Sequence, residues 1–261
     1  MTTIEIDLSN RELAFEAPNA RKKLGLITLS TDLTTEVDFA RLMPFDDAGV
    51  YGTRVAFANP TTPKNLRAML PGLTAAADLL LPGMQLSALC YSCTAASVVI
   101  GESEVAAAIH RARPGVPVVT PSSAALTGFA AMGISRISVL TPYLVRTGRP
   151  MASYFSHNGL DIMRFACMGL DDDRDMARVS RQSIVDAALS IDNERSQALF
   201  ISCTALPAVS AIQEIETRTG KPVITSNQAS AWAMMRYAGL EHKPIGFGRL
   251  FDYSLPLGIR S

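Results

Sequence analysis

A Ser-Cys-Thr triplet occurs twice in this chain, as Ser92-Cys93-Thr94 and as Ser202-Cys203-Thr204, each time at the end of an apolar run of strand character. Leu86 to Tyr91 leads into the first and Ala198 to Ile201 into the second, and each is followed by small or apolar residues that read as the start of a helix. The two cysteines lie 110 positions apart. A second pair of landmarks repeats in the same order: Pro117-Val-Val-Thr120 leads through Ala124 to Met132 into Gly133, and Pro222-Val-Ile-Thr225 leads through Ala229 to Ala238 into Gly239. When the strand around Leu26 to Leu29 is laid on Ser138 to Leu140, Asp32 and Tyr143 are 111 apart, nearly the same offset. Such recurrence predicts duplicated halves.

Between the landmarks, strand and helix signals alternate. Leu24 to Asp32 reads as a strand, Thr34 to Met43 as a helix, Val50 to Phe57 as a strand and Pro63 to Leu81 as an interrupted helix. Thr94 to Arg113 reads as one helix closed by Pro114-Gly115, and Val116 to Thr120 as a short strand. The expected fold is α/β, with two pseudo-symmetric Rossmann-like domains built on parallel sheets. The expected division is residues 1–121 plus 229–261 for the Cys93 side and 122–228 for the Cys203 side, with Ala124 to Met132 and Ala229 to Ala238 as crossovers. Ligands of such sheets bind at the carboxyl ends of the strands. The active site is therefore expected in the cleft between the domains, where Asp32, Cys93, Tyr143 and Cys203 meet.

Composition narrows the partners. Twenty-four basic residues against twenty-four acidic ones give no net charge, hence no general attraction to nucleic acid or an anionic membrane. Apolar windows around Leu79 to Leu81 and Leu86 to Gly101 are interrupted before reaching the ~20 residues of a membrane span. Met1 to Lys23 mixes Glu5, Asp7, Arg11, Glu12 and Glu16 with apolar positions and lacks a secretory layout. A cytoplasmic protein with a small-molecule partner is expected, and Cys90, Cys93, Cys167 and Cys203 read as free thiols.

A cysteine opening a helix faces unpaired N–H groups and the positive end of the helix dipole, so its pKa is expected to fall. Two such thiols across one carbon form a two-base device: one removes a proton or adds at carbon, and the other returns a proton from the opposite face. Cys90-Tyr-Ser-Cys93 is also a C-x-x-C, which elsewhere marks a redox dithiol or half a zinc site, but Cys90 falls within what reads as a strand, there is no second copy, and His110, His157 and His242 show no metal-ligand spacing, so a thiol redox module is kept only as a competing reading. Cys90, Cys167 and Trp232 read as core, Gly246-Phe-Gly248 as a turn and Asp171 to Asp175 as a solvated helix start.

On these residues, together with Leu140-Thr-Pro-Tyr143, the chain resembles the aspartate/glutamate racemase superfamily. Within it the resemblance is to the branch of maleate cis-trans isomerases and arylmalonate decarboxylases, from Leu24 to about Leu250. The resemblance implies chemistry without a cofactor at a carbon next to a carboxylate. By position, Cys93 is implied as the attacking thiolate, Cys203 as the opposing acid or base and Tyr143 as a carboxylate ligand. Decarboxylases of the branch keep only the second thiol, so two cysteines point to isomerisation or racemisation.

Maleate isomerases carry asparagine where this chain has Asp32 and Asp173, a departure shared with the ectoine-utilisation members of the branch. An ionised aspartate accepts but does not donate hydrogen bonds. The expected substrate is accordingly amino-acid-like, with its ammonium on Asp32 and Asp173 and its carboxylate against Thr94, Thr204 and Tyr143, flanked by Ser92 and Ser202. The plainer alternative is that Asp32 caps the helix beginning near Leu33 and Asp173 sits in a solvated acidic run. Two other functions stay open: maleate isomerisation proper, and a non-catalytic protein of ectoine catabolism that binds a small carboxylate. No metal is expected, and a homo-oligomer is.

Overall fold

The structure is a computed structural model that describes residues 4–15, 21–256 and 258. The parts of the expected N-terminal lead and first domain at 1–3, 16–20, 257 and 259–261 lie outside the described residues. Two parallel four-stranded sheets form the frame. The first contains β1 (Lys22–Leu29), β2 (Ala48–Val55), β3 (Ala88–Tyr91) and β4 (Val118–Val119) in the order β2-β1-β3-β4. The second contains β5 (Arg136–Tyr143), β6 (Asp161–Leu170), β7 (Ala198–Ile201) and β8 (Val223–Thr225) in the order β6-β5-β7-β8. Adding four to every label of the first sheet gives the second, so the repeat read from the sequence is a repeat of topology.

The equivalence extends to single hydrogen bonds. Ser92 N–H donates to Ile27 O at 2.8 Å, and Ser202 N–H donates to Leu140 O at 2.8 Å. One central strand of each sheet, β3 in the first and β7 in the second, is apolar and wholly buried, as parallel strands covered on both faces require. In the second half Phe200 of β7 meets Phe129 and Phe155 edge to face, with ring centroids 5.9 and 5.2 Å apart.

Two helices cross between the halves, and both begin in a capping box. Thr120 caps Pro121–Ala131 with Ser123, and Thr225 caps Ser226–Tyr237 with Gln228. The first helix follows β4, yet its Gly128 lies against Ile224 of β8. The second follows β8, yet its Ser230 lies near enough to the Cys90 thiol of β3 to favour its thiolate. Trp232 is fully buried and donates Nε1 to Tyr253 O at 2.8 Å, while buried Arg236 binds the carbonyls of Leu240, Phe251 and Tyr253. This pins the C-terminal segment onto the helix.

Three local expectations change. The helix expected over Thr94 to Arg113 is two helices, Thr94–Ile100 and Glu102–His110, because Gly101 takes φ 101°, which ends one and re-aims the next. The strand expected at Val50 to Phe57 is Ala48–Val55. No α-helix starts at Cys203: Thr204 to Pro207 is irregular, a 3-10 turn spans Ala208–Ala211 and the helix is Ile212–Thr219. Pro207 accounts for this, since the residue before a proline is pushed away from helical backbone toward extended conformations.

Candidate functional site

The loops after β3 and β7 bring the two Ser-Cys-Thr segments together where the carboxyl ends of the sheets face one another. Cys93 and Cys203 are 5% and 3% exposed. They are close enough that a charge on Cys203 disfavours one on Cys93. Thr204 donates Oγ1 to Ser92 O at 3.3 Å, so the two segments are bonded directly.

Cys93 sits at the N-cap of Thr94–Ile100 in extended backbone without a side-chain capping hydrogen bond, and the nearby Ala96 N–H favours its thiolate. The expected fall in pKa does not occur. Burial pushes the Cys93 thiol well above its ordinary value, and one N–H group does not offset the loss of water. Cys203 is pushed up to about 12 by burial, against the Tyr143 hydroxyl and the N–H groups of Ala205 and Leu206, which all favour its thiolate. Both thiols are therefore neutral in this arrangement.

Tyr143 reaches Cys203 through a departure from the symmetry. Between Thr141 and Tyr143 the pairing of β5 with β6 skips a residue, with Gly169 at φ 87°, whereas β1 and β2 pair in unbroken register. Pro142 has no N–H to give to the ladder, which suits a bulge there. The fully buried phenol keeps its proton, its pKa raised by burial and by the two thiols.

Of the acidic candidates, Asp32 is a cap. Its Oδ1 accepts from Thr34 N at 2.7 Å and Thr35 N at 2.9 Å, and its Oδ2 accepts from Thr35 Oγ1 at 2.6 Å, at the start of helix Thr35–Leu42. Burial nonetheless raises its pKa. Asp173 is not part of a solvated run: it is buried and accepts from Thr31 Oγ1 and, at 2.6 Å, from Asn59 Nδ2. Asp172 is the residue that caps Asp173–Met176, and its paired Arg174 holds its carboxyl at about 2. Charge on either Asp32 or Asp173 disfavours the Cys93 thiolate.

The hydroxyls divide unevenly. Thr94 donates Oγ1 to Ser226 Oγ at 2.8 Å, Ser92 Oγ lies 3.2 Å from Thr35 Oγ1, and Ser202 Oγ is buried with no hydrogen-bond partner. Sequence reading missed four contributors. Thr34 donates Oγ1 to Ala205 O at 2.7 Å, Thr35 links Asp32 to Ser92, and Asn227 donates Nδ2 to Asp38 Oδ2 at 2.8 Å and to Thr204 O at 2.9 Å. Thr34 and Thr35 stood beside Asp32 in a polar stretch, but nothing in the chain marked Asp38 or Asn227 as partners 189 positions apart.

Among the described residues, no group of three or more His, Cys, Asp or Glu is placed to hold a metal ion, and no helix is long and apolar enough to cross a membrane.

Comparison with known proteins agrees with this geometry. The family profile described as arylmalonate decarboxylase matches residues 83–251. The arylmalonate decarboxylase of Bordetella bronchiseptica is 32% identical over 148 residues, which span 55% of this chain and 61% of that protein. The match therefore covers less than two thirds of that relative. A maleate isomerase of Nocardia farcinica is 24% identical over 248 residues, covering 88% of this chain and 95% of its own. The fold is similar to that of a Nocardia farcinica maleate cis-trans isomerase mutant solved with a covalently bound succinylcysteine intermediate, with TM-score 0.81, 22% identity and coverage of 88% and 98%.

Proposed function

Because this chain belongs to the arylmalonate decarboxylase family, whose relatives are enzymes acting on small carboxylates, we propose that it is an isomerase or racemase working at a carbon beside a carboxylate with two thiols. The observation that carries this reading is the pairing of Cys93 with Cys203, buried and electrostatically coupled, from equivalent loops of opposite halves. In racemisation one thiolate removes the proton on one face while the opposing thiol gives a proton to the other face and ends as the thiolate, so the pair is restored in mirror image. In cis-trans isomerisation one thiolate adds at carbon, the opposing thiol protonates the neighbouring carbon, and after rotation about the resulting single bond that proton is taken back as the C–S bond breaks. Tyr143 and the N–H groups of the two loops hold the carboxylate, Thr94 and Thr204 join them by turning their hydroxyls from Ser226 and from Ser92 O, and Ser92 and Ser202 flank it. The succinylcysteine of the Nocardia relative supports a cysteine that bonds to carbon in this fold.

The substrate we favour is amino-acid-like. Asp32 and Asp173 both disfavour the Cys93 thiolate, and an ammonium beside them would lift that penalty. Each carboxylate oxygen in use retains a further lone pair for it. We also take 1–121 plus 229–261 and 122–228 as the two domains, from the path of the crossover helices. Proton NMR in deuterated buffer with a panel of amino acids, N-acetylated diamino acids, maleate and arylmalonates tests the reading. Deuterium gain or geometric isomerisation at the carbon beside the carboxylate is expected, and a panel that stays inert would refute it.

The family profile favours a second reading, decarboxylation of an arylmalonate-type diacid. Loss of carbon dioxide that persists in Cys93→Ser would select it, since that reaction needs one thiol to protonate the new carbanion.

A further inference from the structure

The N-terminal arm and the amino ends of the first sheet each leave exposed what the other would cover. Residues 4–15 take no helix or strand, and every one of them is exposed. Ile4, Ile6, Leu8, Leu13 and Phe15 are between 71% and 93% exposed, an unmet burial of the kind that marks an interface. In Ile4-Glu5-Ile6-Asp7-Leu8 apolar and acidic residues alternate, so an extended backbone puts three aliphatic side chains on one face and two carboxylates on the other. Across 4–15 the acids Glu5, Asp7 and Glu12 stand against one base, Arg11.

At the end of the first sheet remote from the thiols lies a cavity of about 800 Å³. It sits beneath the amino ends of β1, β3 and β4, between residues 21–23, 83–87 and 112–117, with Tyr237 as a further wall. Arg21, Lys22, Lys23 and Arg113 line it, and among the described residues that do so there is no acid. Arg113 is fixed by the carbonyls of Ala77, Asp78, Leu80 and Met84, neutral acceptors that orient the guanidinium without cancelling its charge. Met84, 42% exposed, adds an apolar surface. A positive, partly apolar cavity complements an acidic, apolar strand.

The arm is not covered by its own copy, since every described residue of it lies in water. It joins the body at Arg21, on the wall of the cavity, so each arm leaves beside the place where another can enter. Two copies related by a twofold axis can therefore exchange arms reciprocally. The six steps from Phe15 to Arg21 span up to about 20 Å, enough to cross to a neighbour. We propose that in a homodimer the segment from Ile4 to Leu8 of each copy seats in this cavity of the other, with Glu5 and Asp7 toward Arg21, Lys22 and Arg113 and with Ile6 against Met84. Docking there leaves the carboxyl ends of the strands, and with them the thiols, clear.

Sedimentation equilibrium of the full-length protein over a range of concentrations tests this. Wild type should be a dimer at micromolar concentration. Ile4→Ser with Ile6→Ser and Leu8→Ser should raise the dimer Kd at least about a hundredfold, because three aliphatic side chains lose their cover. Glu5→Lys with Asp7→Lys should raise it about tenfold, and adding Arg21→Glu with Lys22→Glu should return it toward wild type, since only the paired reversal restores complementarity. All these positions are exposed, so the changes leave the core untouched. To separate exchange from folding back within one copy, a copy with Ile6→Cys is mixed with a longer, tagged copy carrying Met84→Cys and oxidised. A disulfide joining tagged to untagged chains is expected. A wild type that stays monomeric, a dimer whose Kd ignores the arm, a fourfold charge reversal that binds no tighter than the Glu5 and Asp7 reversal alone, or a disulfide that forms only within one chain carrying both cysteines would overturn the proposal. No step uses substrate, so the result stands apart from the reaction proposed for the two thiols.

Discussion

Thr204 donates its hydroxyl to the main-chain carbonyl of Ser92 at 3.3 Å, which joins the loop of one candidate thiol to the loop of the other. Around that bond lie Thr94 to Ser226, Thr34 to Ala205 and Asn227 to Asp38, every one of them between elements far apart in the chain. The halves are thus sewn together at the site itself and again by the two crossover helices. Of two fragments cut near Ser122, the first would lack helix Ser226–Tyr237, which reaches its sheet, and the second would carry that helix with nothing of the first sheet to pack on. Expressed separately, they should fail to give cooperative unfolding transitions, and two stable pieces with sharp transitions would contradict the layout.

Asp38 gives a pH dependence of stability with a definite sign. Burial raises its pKa from 3.8 to about 7, against the hydrogen bond from Asn227 and the charge of Arg41, and with a small contribution from Asp32. The folded state holds this proton more tightly than the unfolded chain, so the stabilisation is complete below about pH 4 and is lost as pH rises to about 7. Each pH unit within that window costs about 1.4 kcal/mol. Asp38→Asn, neutral at every pH, should remove this contribution. The difference in urea-unfolding free energy between wild type and variant should slope between pH 4 and 7 and be flat above, and a difference flat throughout would show that Asp38 ionises freely.

Substrate charge can be probed by Asp32→Asn combined with Asp173→Asn. Asparagine still accepts from the Thr34 and Thr35 N–H groups, so the cap on helix Thr35–Leu42 should survive, with a stability change of no more than about 1 kcal/mol. Removing two negative charges from a buried space should raise KM for an amino-bearing substrate by about tenfold and lower it for a maleate-like dianion. Unchanged preference at constant ionic strength would count against an ammonium at that end.

Cys90 and Cys167 provide the contrast to the site thiols. Cys90 is buried within β3 and Cys167 lies on the edge strand β6, beside Gly148. Cys90→Ala and Cys167→Ala should leave kcat within about twofold and cost at most ~1–3 kcal/mol of stability, the Cys90 change the larger of the two. A large fall in kcat at constant stability for either would place a third thiol in the reaction.

The duplicated frame was legible because it rests on patterns that sequence carries directly: apolar runs that need cover on both faces, threonines before helices, and one offset shared by independent landmarks. Cys93 and Cys203 were legible for the same reason. The acidity of the thiols was not, because local reasoning sees the N–H groups of a helix start but not the water that burial removes. Pro207 could have warned that no helix follows Cys203. The seating of Asp173 by Thr31 and Asn59 and the bonds of Thr34 to Ala205 O and of Asn227 to Asp38 depend on contacts across the two halves, and no spacing along one chain segment encodes them.

The most direct test of a two-thiol site is turnover of the substrate found in the deuterium screen by Cys93→Ser, Cys203→Ser and the double variant. Groups that act as one unit are not additive. Each single variant should fold and lose at least about 10³-fold in kcat, and the double should lose little more. Retention of kcat within about tenfold by either single variant would contradict the two-thiol mechanism.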